Sequence, residues 1–118
     1  MWNREKVFES KSNLEGAELK GMDLSGLELN KANLISANLV STNLQNISLI
    51  GANLFSVKAM RADFSESNLS SANFLKANLA KANFKKSSGS FNRTSTIISG
   101  DQFTCGSCVV IVFRQFQV

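Results

Sequence analysis

Cys105 and Cys108 stand at C-x-x-C spacing, and the carboxylates Glu15, Glu18, Asp23 and Glu28 crowd one short stretch near the start of the chain. The cysteine spacing is that of a zinc half-site or of a dithiol redox couple, and the carboxylates are the residue type of general acid–base catalysis. Neither set is complete. A structural zinc site takes four Cys or His ligands, and this chain has two Cys and no His. A C-x-x-C redox pair belongs beside a βαβ pattern, which the flanking residues do not have. The lack of His also removes the usual proton shuttle and the base of Ser–His and Cys–His nucleophilic pairs. The cysteines therefore read as two thiols beside a strand, and the carboxylates as a solvated face. Gly16, Gly21 and Gly26 are not a phosphate-binding loop, because they recur at a fixed step of five. The expectation is a non-catalytic protein with no cofactor and no metal site.

That step of five organises most of the chain. Large apolar residues fall every five positions from Leu14 to Phe84, in 15 units: 11 have Leu at the centre, 3 have Phe (Phe64, Phe74, Phe84), and one has Ala59. Two residues before the centre, 8 of 15 are Ala; one residue before it, 9 are Asn and 2 are Asp. Ala32-Asn33-Leu34, Ala52-Asn53-Leu54, Ala62-Asp63-Phe64 and Ala77-Asn78-Leu79 are the clearest units. A helix would smear this period around its circumference, and a flat strand would send successive centres to opposite faces. The period fits a chain that turns a corner every five residues.

The pattern resembles the pentapeptide-repeat family, with its Ala-(Asp/Asn)-Leu-X-X consensus, over residues 12–86. The resemblance implies an all-β fold, a right-handed quadrilateral parallel β-helix of four units per coil and just under four coils. It also implies that the centre and the residue two before it point inward while the other three point outward. Stacked coils then bury apolar edges that no coil could bury alone. Residues twenty apart would stack, giving core columns Leu14-Leu34-Leu54-Phe74, Leu24-Leu44-Phe64-Phe84, Leu19-Leu39-Ala59-Leu79 and Leu29-Leu49-Leu69. A Phe-rich core is expected in the second half. Asn13-Asn33-Asn53-Asn73 would form an outward amide ladder.

The expected organisation is an N-terminal cap over 1–11, the β-helix over 12–86, and a linker with a C-terminal apolar strand over 87–118. Trp2, Val7 and Phe8 are expected to plug the first coil, since an open solenoid end exposes core and unpaired edges. Val57-Lys58-Ala59 inverts the usual sizes, so either Val57 fills what Ala59 leaves or the chain bulges there. Met22, Leu27 and Ile47 are large where Ala is usual; they either widen their corners or turn outward. Rhythm is lost after Phe84, and Cys105 to Phe113 ends in a β-branched run that reads as a strand. A tail unlike the repeat is also what a truncated or frame-shifted chain would carry.

The chain has 118 residues, a net charge of +4 and a pI of about 9.3, with no long run of like charge. It has no apolar segment of signal-peptide or membrane-span length, so the cytoplasm is the expected location. Charge is uneven. Residues 12–56 carry two lysines against four carboxylates, a net −2, and residues 57–86 carry six cations against two carboxylates, a net +4. The function that fits best is a small protein-interaction scaffold, with another protein or a second copy of the chain as partner. Three alternatives stand. Some proteins that the pattern resembles protect DNA gyrase by mimicking DNA with a long acidic tube, and this chain departs from them in length and in sign. The basic second half would suit an electrostatic binder of nucleic acid or anionic lipid, although nucleic acid is not the expected partner. The chain would also suit a remnant of a longer repeat protein. In the four-unit register, the outward residues after the centres stack as Glu15-Ile35-Phe55-Leu75 and Lys20-Val40-Met60-Ala80. Ile35, Val40, Phe55, Met60 and Leu75 are expected to form a contact patch over two adjoining faces. Its occupant would be either the chain's own Val109–Phe113 or a partner.

Overall fold

A five-residue unit brings five backbone N–H groups into a narrow tube, and each needs an acceptor. The unit 37–41 meets all five. Ala37 N–H donates to Leu34 O (3.0 Å) across the corner. Asn38 N–H donates to Ala17 O (2.8 Å) in the coil on one side, and Leu39 and Ser41 donate to Lys58 O (2.6 Å) and Met60 O (2.9 Å) in the coil on the other. The fifth, Val40 N–H, lies outside the ladder and is taken by the side chain of Asn38, at Oδ1 (3.0 Å). This is an Asx turn, and the same bond recurs from Asn33, Asn43, Asn53, Asn73 and Asn83.

The computed structural model describes residues 1–89 and the strand Ile97–Ser99. Its isolated bridges, from Glu18↔Asn38 to Asn68↔Ser88, are all parallel and all join residues 20 apart. Four five-residue edges therefore make one coil, and the architecture is a quadrilateral parallel β-helix. Four faces run along it, here named A to D by the centres Leu34, Leu39, Leu44 and Leu49.

Every corner is a β-turn whose third residue, two after the centre, has positive φ. Glycine takes this place at Gly16, Gly21, Gly26 and Gly51, but 11 other residues from Lys31 to Lys86 hold φ of 56–61° there. A left-handed L-residue costs about 1–2 kcal/mol, and a β-branched one fits worst. The 15 corner positions hold only Gly, Ser, Asn, Lys, Arg and Glu.

The inward columns are closed. Leu14, Leu34, Leu54, Phe74, Leu24, Leu44, Phe64 and Phe84 are at most 1 % exposed. Phe64 stacks on Phe84 with centroids 4.9 Å apart, and Phe74 meets both rings edge-on at 5.6 and 6.1 Å. These offset and T-shaped arrangements suit the ring quadrupoles. Serine replaces alanine beside two of these rings, and Ser67 and Ser87 return their hydroxyls to the carbonyls of Phe64 (2.5 Å) and Phe84 (2.8 Å). Val57 and Ala59 are both buried, with the ladder continuous through Lys58, so the inverted unit is an exchange of volume rather than a bulge. Ile47 points inward and is buried. Met22 and Leu27 are half-buried against the core, because they lie in the first coil and have no coil beneath them.

The cap is the helix α1 (Arg4–Glu9), started by Asn3, whose side chain accepts from Lys6 N–H (2.8 Å), followed by a 3₁₀ turn over Lys11–Asn13. Val7 is fully buried and Trp2 half-buried on the core, but Phe8 is 43 % exposed and does not plug the coil. Adjacent helical residues point about 100° apart, so one short helix cannot aim both Val7 and Phe8 at the same coil. The Lys11 ammonium lies 4.5 Å from the Phe8 ring centre instead.

The coil continues beyond the expected boundary at residue 86. Ser87 is buried, Ser88 bridges Asn68 and accepts Leu69 N–H (2.9 Å), and Gly89 follows with φ 97°. A Cβ on Gly89 would lie 2.6 Å from Ser70 Cα, too close for any side chain. Further on, β2 (Ile97–Ser99) pairs in parallel with β1 (Asn78–Ala80), Leu79 opposite Ile98. The ladder is made by backbone, so it persists where the side-chain pattern has gone.

Two outcomes follow. Leu54→Ala should lower unfolding free energy by about 2–5 kcal/mol in urea titration, and Leu54→Asp should abolish the cooperative transition. At the corners, Ser71→Gly should raise stability by about 1 kcal/mol and Ser71→Val should lower it; equal midpoints for both would contradict the left-handed assignment.

Candidate functional site

Every outward side chain occupies one of three places: just before a centre, just after it, or at the left-handed corner. In most units the first is an Asn or Asp that satisfies the backbone through the Asx bond. The corner is restricted by its φ. The residue just after the centre is bound by neither demand, although Asn30 and Gln45 are used for bonds between coils, so its chemistry is the most open to other use.

On face A these residues are Glu15, Ile35, Phe55 and Leu75, and on face B they are Lys20, Val40, Met60 and Ala80. Ile35, Val40, Phe55, Met60 and Leu75 are all half-buried. Stacked at the inter-strand spacing of about 4.8 Å, each shields the flank of the next. They do not merge into one patch. Between the two columns run the corner residues Ser36, Ser56 and Lys76, and then Asn38, Lys58 and Asn78, with Lys58 and Lys76 exposed. The site is thus two apolar columns with a polar, cationic strip between them. Arg61 and Lys81, both exposed, form the far corner of face B. The Lys76 ammonium stands 6.0 Å from the Phe55 ring centre. Ile50, on face D, is 38 % exposed but stands between Asn30 and Ser70, so it extends no apolar column.

Among the described residues one ion pair forms, Arg4 to Asp23 at 3.8 Å, at the opposite end of the tube. Lys58, Arg61, Lys76 and Lys81 have no carboxylate partner there. The amide ladder is partial: Asn73 Nδ2 donates to Asn53 Oδ1 (3.3 Å), while Asn13 belongs to the 3₁₀ turn.

The first-coil carboxylates are exposed. Asp23 accepts from Ser25 Oγ (2.7 Å) and Ser25 N–H (3.1 Å), and these bonds, aided by Arg4, hold its carboxyl below the usual carboxylate range. Burial opposes the charge on Asp63, but Gln45 Nε2 (2.6 Å) and Ser65 outweigh it and its carboxyl also titrates low. Glu18 accepts from Asn38 Nδ2 (3.0 Å). No three His, Cys, Asp or Glu among the described residues gather as a metal site. Arg4, Glu5, Phe8, Glu9 and Leu27 line a cleft between α1 and the first coil. Cys105, Cys108 and Val109–Phe113 lie outside the described residues. Nor is any helix among those residues long and apolar enough to cross a membrane.

Sequence reasoning missed the left-handed corners and the role of Asn30. The corners left a signal in the absence of Val, Ile and Thr at those positions. Asn30 Oδ1 accepts Ile50 N–H (2.9 Å) and Ser48 Oγ (2.5 Å) from the next coil, supplying the corner acceptor that Ser48 cannot.

Regular five-residue edges, left-handed corners and Asx bonds define a solenoid of pentapeptide units. The family model for pentapeptide repeats matches in 8 copies over residues 12–49 and 47–85, and the chain belongs to that family. Its fold is the family's right-handed β-helix. Among solved structures it is similar to a pentapeptide repeat protein of the Arabidopsis thaliana thylakoid lumen, with TM-score 0.64 and 29 % identity over 80 % of this chain. This chain spans 62 % of that protein's length. HetL, a pentapeptide repeat protein involved in heterocyst differentiation regulation in the cyanobacterium Nostoc sp. strain PCC 7120, aligns with TM-score 0.42 and 22 % identity, over 76 % of this chain and 50 % of its own. No curated protein matches the sequence.

The low-titrating aspartates set a pH response. A carboxylate whose folded pKa is depressed contributes stability above its unfolded pKa and loses it as pH falls through the folded value. Asp63→Asn should therefore lower the urea midpoint near neutrality and flatten the acid limb of a midpoint-against-pH profile, so that the two proteins converge as pH falls. An unaltered acid limb would show that Asp63 is not held as described.

Proposed function

We propose that this pentapeptide-repeat protein works by contact rather than by catalysis, as a small scaffold that binds another polypeptide through faces A and B. The observation that carries the reading is the pair of apolar columns built from positions just after the centres, where neither the Asx bond nor left-handed backbone dictates the side chain. Elsewhere such positions hold Glu15, Lys20, Ser25, Asn30, Gln45, Ile50, Ser65, Ser70 and Lys85, all polar but Ile50. The carboxylates support it too: Asp23 and Asp63 are held ionised by neighbours within the tube, which suits structure and not proton exchange near neutral pH.

Binding and self-association are told apart by solution mass. Light scattering on the isolated chain reports whether copies pair, and affinity capture from the cells that express it reports a different partner. In either case Phe55→Ser should remove the complex while leaving cooperative unfolding in place. A complex untouched by Phe55→Ser and Leu75→Ser would overturn the reading. Cys105→Ala with Cys108→Ala should leave binding intact. DNA gyrase supercoiling should proceed unchanged in the presence of the protein, since its second half is basic where a duplex mimic must be acidic.

A further inference from the structure

We infer that faces A and B, with the corners between and beyond them, receive an acidic segment of a partner protein that also carries apolar side chains. The inference rests on the scaffold reading above and specifies the chemistry of what that scaffold holds.

Four cations frame or cross the apolar columns. Lys76 is at the corner between faces A and B, Lys58 lies on face B itself, and Arg61 and Lys81 close its far corner; all four are exposed. None has an ion-pair partner among the described residues. The carboxylates of the same half are engaged elsewhere or turned away. Asp63 is on face C, tied to Gln45 and Ser65, and Glu66 is at the corner beyond it. A surplus of four positive charges thus stands beside Phe55, Met60 and Leu75, with no counterpart of the tube's own.

The arrangement has a direction. The column on face B just before the centres reads Glu18, Asn38, Lys58, Asn78, and Glu18 is occupied by Asn38 Nδ2 at 3.0 Å. Glu15 likewise starts the column that continues through Ile35, Phe55 and Leu75. On faces A and B the first coil carries Glu15 and Glu18 against Lys20, and the later coils carry only cations, so an acidic segment is disfavoured at one end and held at the other. Like-charge exclusion of this kind fixes the register of a bound partner.

The alternation of charge and apolar surface favours a polypeptide over other anions. Nucleic-acid interfaces are strongly polar and meet phosphates, so Ile35, Phe55 and Leu75 would lose water without gaining contacts. Insertion into a lipid surface needs side chains that project, and these are half-buried between their stacked neighbours. A segment with carboxylates between apolar side chains satisfies both sets of groups at once. It would also meet Lys76, which already lies over the Phe55 ring at 6.0 Å.

The full chain, immobilised, is used to select from a display library of random short peptides, and the enriched peptides are synthesised and titrated. Selected sequences are expected to combine Asp or Glu with Leu, Ile or Phe. Their affinity should fall at least tenfold for Lys58→Glu with Lys76→Glu, and as far for Phe55→Ser, with cooperative unfolding retained in each variant. Raising salt should weaken them, and Glu66→Gln, around the corner, should leave them unchanged. Enrichment of uncharged apolar peptides that depend on Phe55 but not on the lysines would overturn this inference and leave the scaffold reading standing. Peptides insensitive to Phe55 and Leu75 would overturn both. A short DNA duplex, or phosphatidylserine-containing vesicles, bound in a lysine-dependent way without any selected acidic peptide would overturn it in favour of a phosphate-bearing ligand.

Discussion

The structure depends on one corner repeated. A chain that turns ninety degrees every five residues must place one residue per turn in the left-handed region, and must find an acceptor for the one N–H that the turn points away from the neighbouring coil. Left-handed backbone two residues after the centre meets the first demand. The Asn or Asp just before the centre meets the second, its carboxamide or carboxylate oxygen reaching over two residues to the stranded N–H. Once both hold, the remaining N–H groups of the unit fall into parallel register with coils on either side. The apolar core is a consequence. Only then do Leu34, Leu54 and Phe74 stand over one another, each with an alanine two residues before it, Ala32, Ala52 and Ala72.

The ends show what happens where the repeating solution has no neighbour. At the first coil, Glu18, Asp23 and Glu28 occupy positions that hold Asn in most later units, so the unpaired edge carries charge, a common protection against edge-to-edge pairing. Arg4 of α1 crosses to Asp23 O (2.9 Å), and Lys11 O accepts Asn33 N–H (2.8 Å), so the cap serves the ladder as well as the core. The carboxylate cluster that suggested catalysis in the bare sequence is a feature of an edge. At the other end the ladder runs past the last large centre, through Ser88, and is taken up again by β2 on β1.

Surface variation sits on what this economy leaves over. Positions inside the tube are committed, corners are restricted by φ, and most residues before the centres serve the Asx bond, so surface chemistry varies most just after the centres, at corner residues chosen for charge, and where a residue such as Lys58 replaces the Asn. The same separation lets the surface vary without the fold: the side chains of Phe55 and Lys76 belong neither to the ladder nor to the core column.

The period of five, the inward columns, the clustering of Phe64, Phe74 and Phe84 and the four-unit register were all legible in the sequence. Each is a matter of residue size at fixed spacing, and a tube of constant cross-section admits one solution for large and small side chains. Other features were not. No composition rule distinguishes Val7 from Phe8 as the plug, because the choice is made by the direction in which α1 meets the first coil. The continuation through Ser87 and Ser88 and the pairing of Ile97–Ser99 with Asn78–Ala80 rest on backbone hydrogen bonds, which leave little trace in side-chain pattern. The expected single patch became two columns. The four-unit register already sets Lys58 and Lys76 between Phe55 and Met60; what the closed coil adds is that both lysines are exposed while the apolar columns on either side are half-buried.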